Sequence, residues 1–155
     1  MINIRPLLEK DIEPLAVEAL EDWQEIYSGF MPEADIEHFV KEAYDPDRIK
    51  EMIPRITSGK MGFWVAEQEG KLLGWIQIAD FGGGMEIGRS GLRSDEVASS
   101  LIGEAESWLR QKGATHYFSY VDIDDDLYKF KLEANGFIHL PAKDDHDDRY
   151  LEKRL

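Results

Sequence analysis

The stretch R-S-D-E-V-A-S-S-L-I, Arg93 to Ile102, opens a helix with a base, a hydroxyl and two carboxylates. A helix N-terminus presents unpaired N–H groups and a positive dipole end, so it accepts its own capping side chains or an anionic ligand. Ser94 is a favoured N-cap, and Asp95 and Glu96 satisfy the dipole from the first turn. Elsewhere, the carboxylates Asp80 and Glu86 flank the glycine run F-G-G-G-M, which no helix follows at phosphate-loop spacing. Trp23, Tyr27, Trp64 and Trp75 are suited to wall a pocket and equally suited to a core. D-I-D-D-D from Asp122 has the acid spacing of a calcium loop, but Leu127 stands where that loop turns on glycine. D-D-H-D-D around His146 reads as a solvated turn. His38, His116 and His139 are too scattered to ligate one ion, so no metal is expected. The absence of cysteine excludes disulfides, thiolate metal sites and a cysteine nucleophile.

These groups need a scaffold, and 155 residues make one domain, residues 1–155, with enough chain to bury a core. The net charge of −14 comes from 32 acids against 18 bases. Such a balance argues against nucleic acid, which needs a basic footprint; it serves solubility and permits a cationic small substrate. No apolar run is fit for a signal peptide or a membrane span, so a cytoplasmic setting and no membrane partner are expected. The chain is compatible with a homodimer.

Periodicity supplies the elements. Residues 2–7 read as a strand. Asp11 is the expected N-cap of a helix whose apolar face runs Ile12, Leu15, Ala16, Ala19, Leu20, Trp23, Ile26 and Tyr27. Ile36, Phe39, Val40 and Ala43 mark a second helix, and a third runs from Asp47 to Ile53 with Pro54 as its stop. F-W-V-A-E and L-L-G-W-I-Q-I form a hairpin about Gly70, and M-E-I-G-R-S is a further strand. The helix from Ser94 to Lys112 buries Val97, Leu101, Ile102, Ala105, Trp108 and Leu109 and closes on Gly113. T-H-Y-F-S-Y-V-D is a strand, D-D-D-L-Y-K-F-K-L-E-A a helix, and G-F-I-H-L and D-R-Y-L-E-K-R-L the last strands. The order describes one α+β domain.

Taken together, these segments resemble the GNAT N-acetyltransferases along nearly the whole chain. I-R-P-L-L-E-K-D-I matches the usual first strand and helix, and D-W-Q-E-I-Y-S-G-F-M-P resembles W-x-x-x-Y-x-G-x-x-P. V-A-E-Q-E-G-K-L-L-G-W-I-Q-I is similar to the central hairpin, A-E-S-W-L-R-Q-K-G-A to the long helix, and L-E-A-N-G-F to Y-E-K-x-G-F. The resemblance implies a mixed, mostly antiparallel sheet flanked by helices, its fourth and fifth strands splayed. It also implies an enzyme that transfers acetyl from acetyl-CoA to a primary amine by direct attack, the amine being a cationic small molecule or peptide. Acetyl-CoA would lie in the splay with its pantetheine arm along Ile87, Gly88 and Arg89.

The resemblance assigns roles and also shows departures. Against the pyrophosphate loop R/Q-x-x-G-x-G/A, Arg93 keeps the basic position and Ala98 the last small one, while Glu96 replaces the first glycine. Arg93, Ser94 and the N–H groups of Val97, Ala98 and Ser99 would hold the diphosphate. Two carboxylates about 6 Å from a phosphate charge each oppose it by roughly 0.7–3 kcal/mol, so weakened CoA binding is expected. The general-acid tyrosine four residues before the G-F glycine is Leu132 here; Tyr128, one turn earlier on that helix face, is the candidate. Tyr117 and Tyr120 remain open alternatives. Glu86 would take the ammonium proton, with Trp23, Tyr27 and Asp80 on the acceptor side. The competing reading is a non-catalytic relative that keeps the fold and binds another ligand or partner.

Overall fold

The computed structural model describes residues 1–155. Strand β1 (Asn3–Pro6) leads into helices α1 (Ile12–Tyr27), α2 (Glu33–Ala43) and α3 (Pro46–Thr57). Strands β2 (Gly62–Gln68), β3 (Lys71–Asp80) and β4 (Met85–Gly91) precede α4 (Asp95–Gln111), and β5 (His116–Asp122), α5 (Asp126–Ala134), β6 (Ile138–His139) and β7 (Asp148–Arg154) complete the chain. The seven strands form one sheet in the order β1-β2-β3-β4-β5-β7-β6, in which only β4 and β5 run parallel.

Alternating side chains put an apolar face on each side of the sheet. On one side α4 packs Val97, Leu101, Ile102 and Leu109 against Trp64, Ile76, Ile78 and Ile87. On the other, α1 to α3 pack Leu15, Ala19, Ile36, Val40 and Ile49 against Phe63, Val65 and Trp75. Trp64 and Trp75 are therefore core residues rather than pocket walls. The β2–β3 hairpin turns on two residues, Glu69 and Gly70, whose positive φ values of 52° and 78° match the sheet's twist.

Two expectations about helix ends need correction. The third helix does not stop at Pro54: α3 continues to Thr57. Pro54 removes one helical hydrogen bond, and it lies on the exposed side of α3, where the loss is tolerated. Asp11 precedes α1 as expected but does not cap it through its side chain. Its carboxylate instead accepts from Leu8 N at 2.8 Å and from both terminal nitrogens of Arg5, at 2.7 and 2.9 Å, which tie the start of the chain down.

Candidate functional site

The sheet forks at β4. Parallel pairing with β5 is confined to Glu86 opposite Phe118, and beyond it the two strands diverge. The cause lies in the register with β3: Ile78 faces Ile87 and Ile76 faces Ser90, so Gly88 and Arg89 both stand opposite Gln77. This is a β-bulge, which bends the strand that carries the extra residue. Gln77 is fully buried and fills the bulge, its Oε1 accepting from Arg89 N at 2.9 Å. Glycine is required at position 88, because a Cβ there would lie 2.7 Å from that Oε1 atom.

A cavity of about 800 Å³ occupies the fork, bounded by the second half of α1, the ends of β4 and β5, and the start of α5. Trp23 and Tyr27 line it, with ring centroids 4.8 Å apart. Seven of its lining residues are acids, facing only Arg89, Arg93 and Lys131. Asp22 is buried on the α1 stripe that begins with Ile12, Leu15 and Ala19. Burial raises its carboxyl to about 6, although Arg93 pulls it down. Burial likewise raises Asp125, which caps α5 by accepting from Tyr128 N at 3.1 Å. The Asp122–Asp126 segment thus serves as a turn and helix cap.

Tyr128 projects from α5 into the fork. Its hydroxyl lies 2.9 Å from Ser119 Oγ on β5, and Ser90 of β4 lines the same cavity. Burial raises its pKa, and the neighbouring serine hydroxyls oppose that shift. Leu132, at the family's tyrosine position, is fully buried in the core. Tyr117 is also buried, its hydroxyl donating to Glu106 at 2.6 Å, so it is structural. Tyr120 is exposed and lines the cavity.

Glu86 stands at the base of the fork rather than in the cavity wall. It is half-buried without a salt-bridge partner, and burial raises its pKa. Asp80 is not brought to the cavity: its Oδ1 accepts from Gly82 N at 2.8 Å and folds the glycine turn.

The start of α4 is closed by its own residues. Val97 N donates to Ser94 Oγ at 3.2 Å, Ala98 N donates to Ser94 O at 2.9 Å, and the Ser99 hydroxyl turns back to Glu96 O. Asp95 and Glu96 point into solvent. Arg93 is turned away from this helix end onto α1, where Glu18 lies at 2.6 Å, Glu25 at 3.5 Å and Asp22 at 3.6 Å. The cavity reaches Arg93 but not the turn from Ser94 to Ser99.

Several cavity residues escaped sequence reasoning. Asp22 was legible as an acid on an otherwise apolar stripe. Tyr44 and Lys131 carried no such signal, since their positions depend on how α2 and α5 meet the fork, and Gln77 beneath the cavity carried none because its place depends on the bulge.

A family model described as the acetyltransferase (GNAT) family matches residues 20–131. A spermidine N(1)-acetyltransferase of Thermoplasma acidophilum is 28% identical over 141 residues, covering 88% of each chain. The crystal structure of the paia N-acetyltransferase from Thermoplasma acidophilum in complex with coenzyme A superposes with a TM-score of 0.90 at 26% identity, over 100% of this chain and 99% of that one. A GNAT-family acetyltransferase from Staphylococcus aureus Mu50 shares the fold, with a TM-score of 0.72 at 14% identity over 100% and 99% of the two chains.

Proposed function

The chain belongs to the acetyltransferase (GNAT) family, and on that premise we propose that it transfers an acetyl group from acetyl-CoA to the primary amine of a cationic small molecule. The observation that carries this reading is the fork itself, a gap between β4 and β5 with the Tyr128 hydroxyl standing in it. The coenzyme A complex of the Thermoplasma paia enzyme supports the donor, and the name of the spermidine N(1)-acetyltransferase supports a polyamine-like acceptor. The acid excess around the cavity supports a cation independently.

In this reading the pantetheine arm runs along the backbone of Ile87, Gly88 and Arg89. The acceptor ammonium loses a proton to Glu86, which burial makes more basic than an ordinary glutamate. The neutral amine attacks the thioester carbonyl directly, and Tyr128 protonates the departing thiolate. The diphosphate lies toward Arg93, Ser94 and the first-turn amides up to Ser99. Reaching them requires Arg93 to leave α1 and Ser94 to release Val97, so donor affinity is modest.

Calorimetric titration with acetyl-CoA, followed by an amine panel assayed by CoA release, tests the proposal. Micromolar donor binding with turnover of di- and polyamines is the expected result. No heat at millimolar acetyl-CoA, or a preference for anionic acceptors, overturns it.

A further inference from the structure

Four arginines have half-buried side chains, and three of them are neutralised by carboxylates: Arg5 by Asp11 and Glu67, Arg93 by Glu18, and Arg149 by Asp126. Arg89 has no carboxylate partner, although seven acids line the same cavity. An unpaired half-buried guanidinium is held in place only by strong local hydrogen bonding, and Arg89 has it. Its Nη1 donates to Gln77 Oε1 at 3.1 Å, and its Nε donates to the carbonyl of Ala43, the last residue of α2, where the helix dipole is negative. Gln77 is in turn fixed by Met52 and Met61, whose sulfurs each lie 3.5 Å from its Nε2. The Arg89 Nη2 makes no hydrogen bond to the protein and is not sealed from solvent. Two hydroxyl-bearing residues, Tyr44 and Ser90, line the cavity beside it.

The backbone at this position has the opposite character. Arg89 N–H donates to the Gln77 side chain at 2.9 Å, so this amide of the bulge is already bonded. At the fork, Arg89 presents a free side-chain donor and a committed main-chain one.

We propose that Arg89 is a catalytic residue whose guanidinium takes the negative charge that develops on the thioester carbonyl oxygen, with Gln77 as its positioning residue. The inference rests on the acetyl-CoA reading above. Attack forms the C–N bond and moves the carbonyl π pair onto oxygen, where Arg89 holds it. Collapse restores the C=O bond and breaks C–S; the electron pair leaves on sulfur, and the thiolate takes the Tyr128 proton. The first ammonium proton has gone to Glu86; the second, left on the nitrogen after attack, passes through solvent to the Tyr128 phenolate as the amide forms, so protons and charges balance.

Binding of two unreactive donors tests this on the native protein: S-carboxymethyl-CoA, which carries an anionic oxygen near the carbonyl position, and S-propyl-CoA, which is neutral there. Calorimetry should show the carboxymethyl derivative binding about tenfold more tightly, as a charge-assisted hydrogen bond requires and against the repulsion of the acid-lined wall. In Arg89→Gln the two affinities should converge, and kcat should fall roughly 10²- to 10³-fold with little change in amine KM. Equal affinities in the native protein, or a preference that survives Arg89→Gln, overturns the assignment of Arg89 while leaving the donor reading intact. Binding of neither derivative overturns both.

Discussion

Ser94 Oγ, at the N-cap of α4, accepts the Val97 backbone N–H at 3.2 Å. The helix end that would receive a diphosphate is thereby satisfied from within, and Asp95 and Glu96 add two charges that oppose a phosphate.

Asp95→Lys with Glu96→Gly should therefore tighten acetyl-CoA binding at least about tenfold at low salt, as Coulomb's law suggests. The gain should shrink as ionic strength rises, because part of it is screened. Some thermal stability should be lost, since glycine replaces a dipole-favouring acid. If the folded double variant binds the donor no better than the parent, this turn is a structural cap only.

Glu86→Gln should reduce turnover roughly 10²- to 10⁴-fold and leave donor affinity nearly unchanged. The native rate should fall as pH drops through the Glu86 pKa, which burial holds above the ordinary glutamate value. Rate–pH profiles of the two proteins check this, because the acid limb should be absent from the glutamine variant. Unchanged turnover at saturating substrates would place the base elsewhere.

Tyr128→Phe should lower kcat about 10²-fold. It should also cost about 1 kcal/mol of stability through the lost hydrogen bond to Ser119. The defect should shrink with acyl donors whose thiol is more acidic, since these need less help in leaving. A constant defect across a series of acyl donors graded in thiol acidity would show that the hydroxyl only braces the fork.

Asp22 offers a stability test. Its carboxyl is raised to about 6 in the fold, above the unfolded value of 3.8, so the native state binds the extra proton. The stability linked to that proton is fully present below about pH 4 and is lost as pH rises through 6. Asp22→Asn should thus raise stability at pH 7.5 by about 1–3 kcal/mol, with the advantage fading toward pH 4. Thermal melts at the two pH values check this. A pH-independent difference would mean that Asp22 is not the titrating group.

Much of the fold was legible because periodicity and punctuation agree: the stripe of α4, its serine cap, Gly113 and the Glu69-Gly70 turn are local features. Pro54 misled because a proline stops a helix only where the lost hydrogen bond cannot be tolerated, and here it lies on the exposed side of α3. The site was less legible. Glu86, Tyr128 and Arg93 were named from their positions in a pattern, but which way each side chain turns depends on long-range packing. Arg93 looked like a phosphate ligand until α1 supplied three acids within 3.6 Å. Arg89 looked like backbone alone, because the bulge that frees its side chain and commits its amide arises from the register between β3 and β4.

With a single Glu86–Phe118 pairing between them, β1 to β4 and β5 to β7 are two leaves bound along a short spine. Few main-chain bonds resist their opening, so the spine should be among the first places where deuterium enters the sheet. A donor molecule lodged between the leaves would supply the cross-links that the backbone lacks. Its binding energy would then be felt as cohesion of the whole sheet, and saturating acetyl-CoA should slow exchange in strands that never touch it.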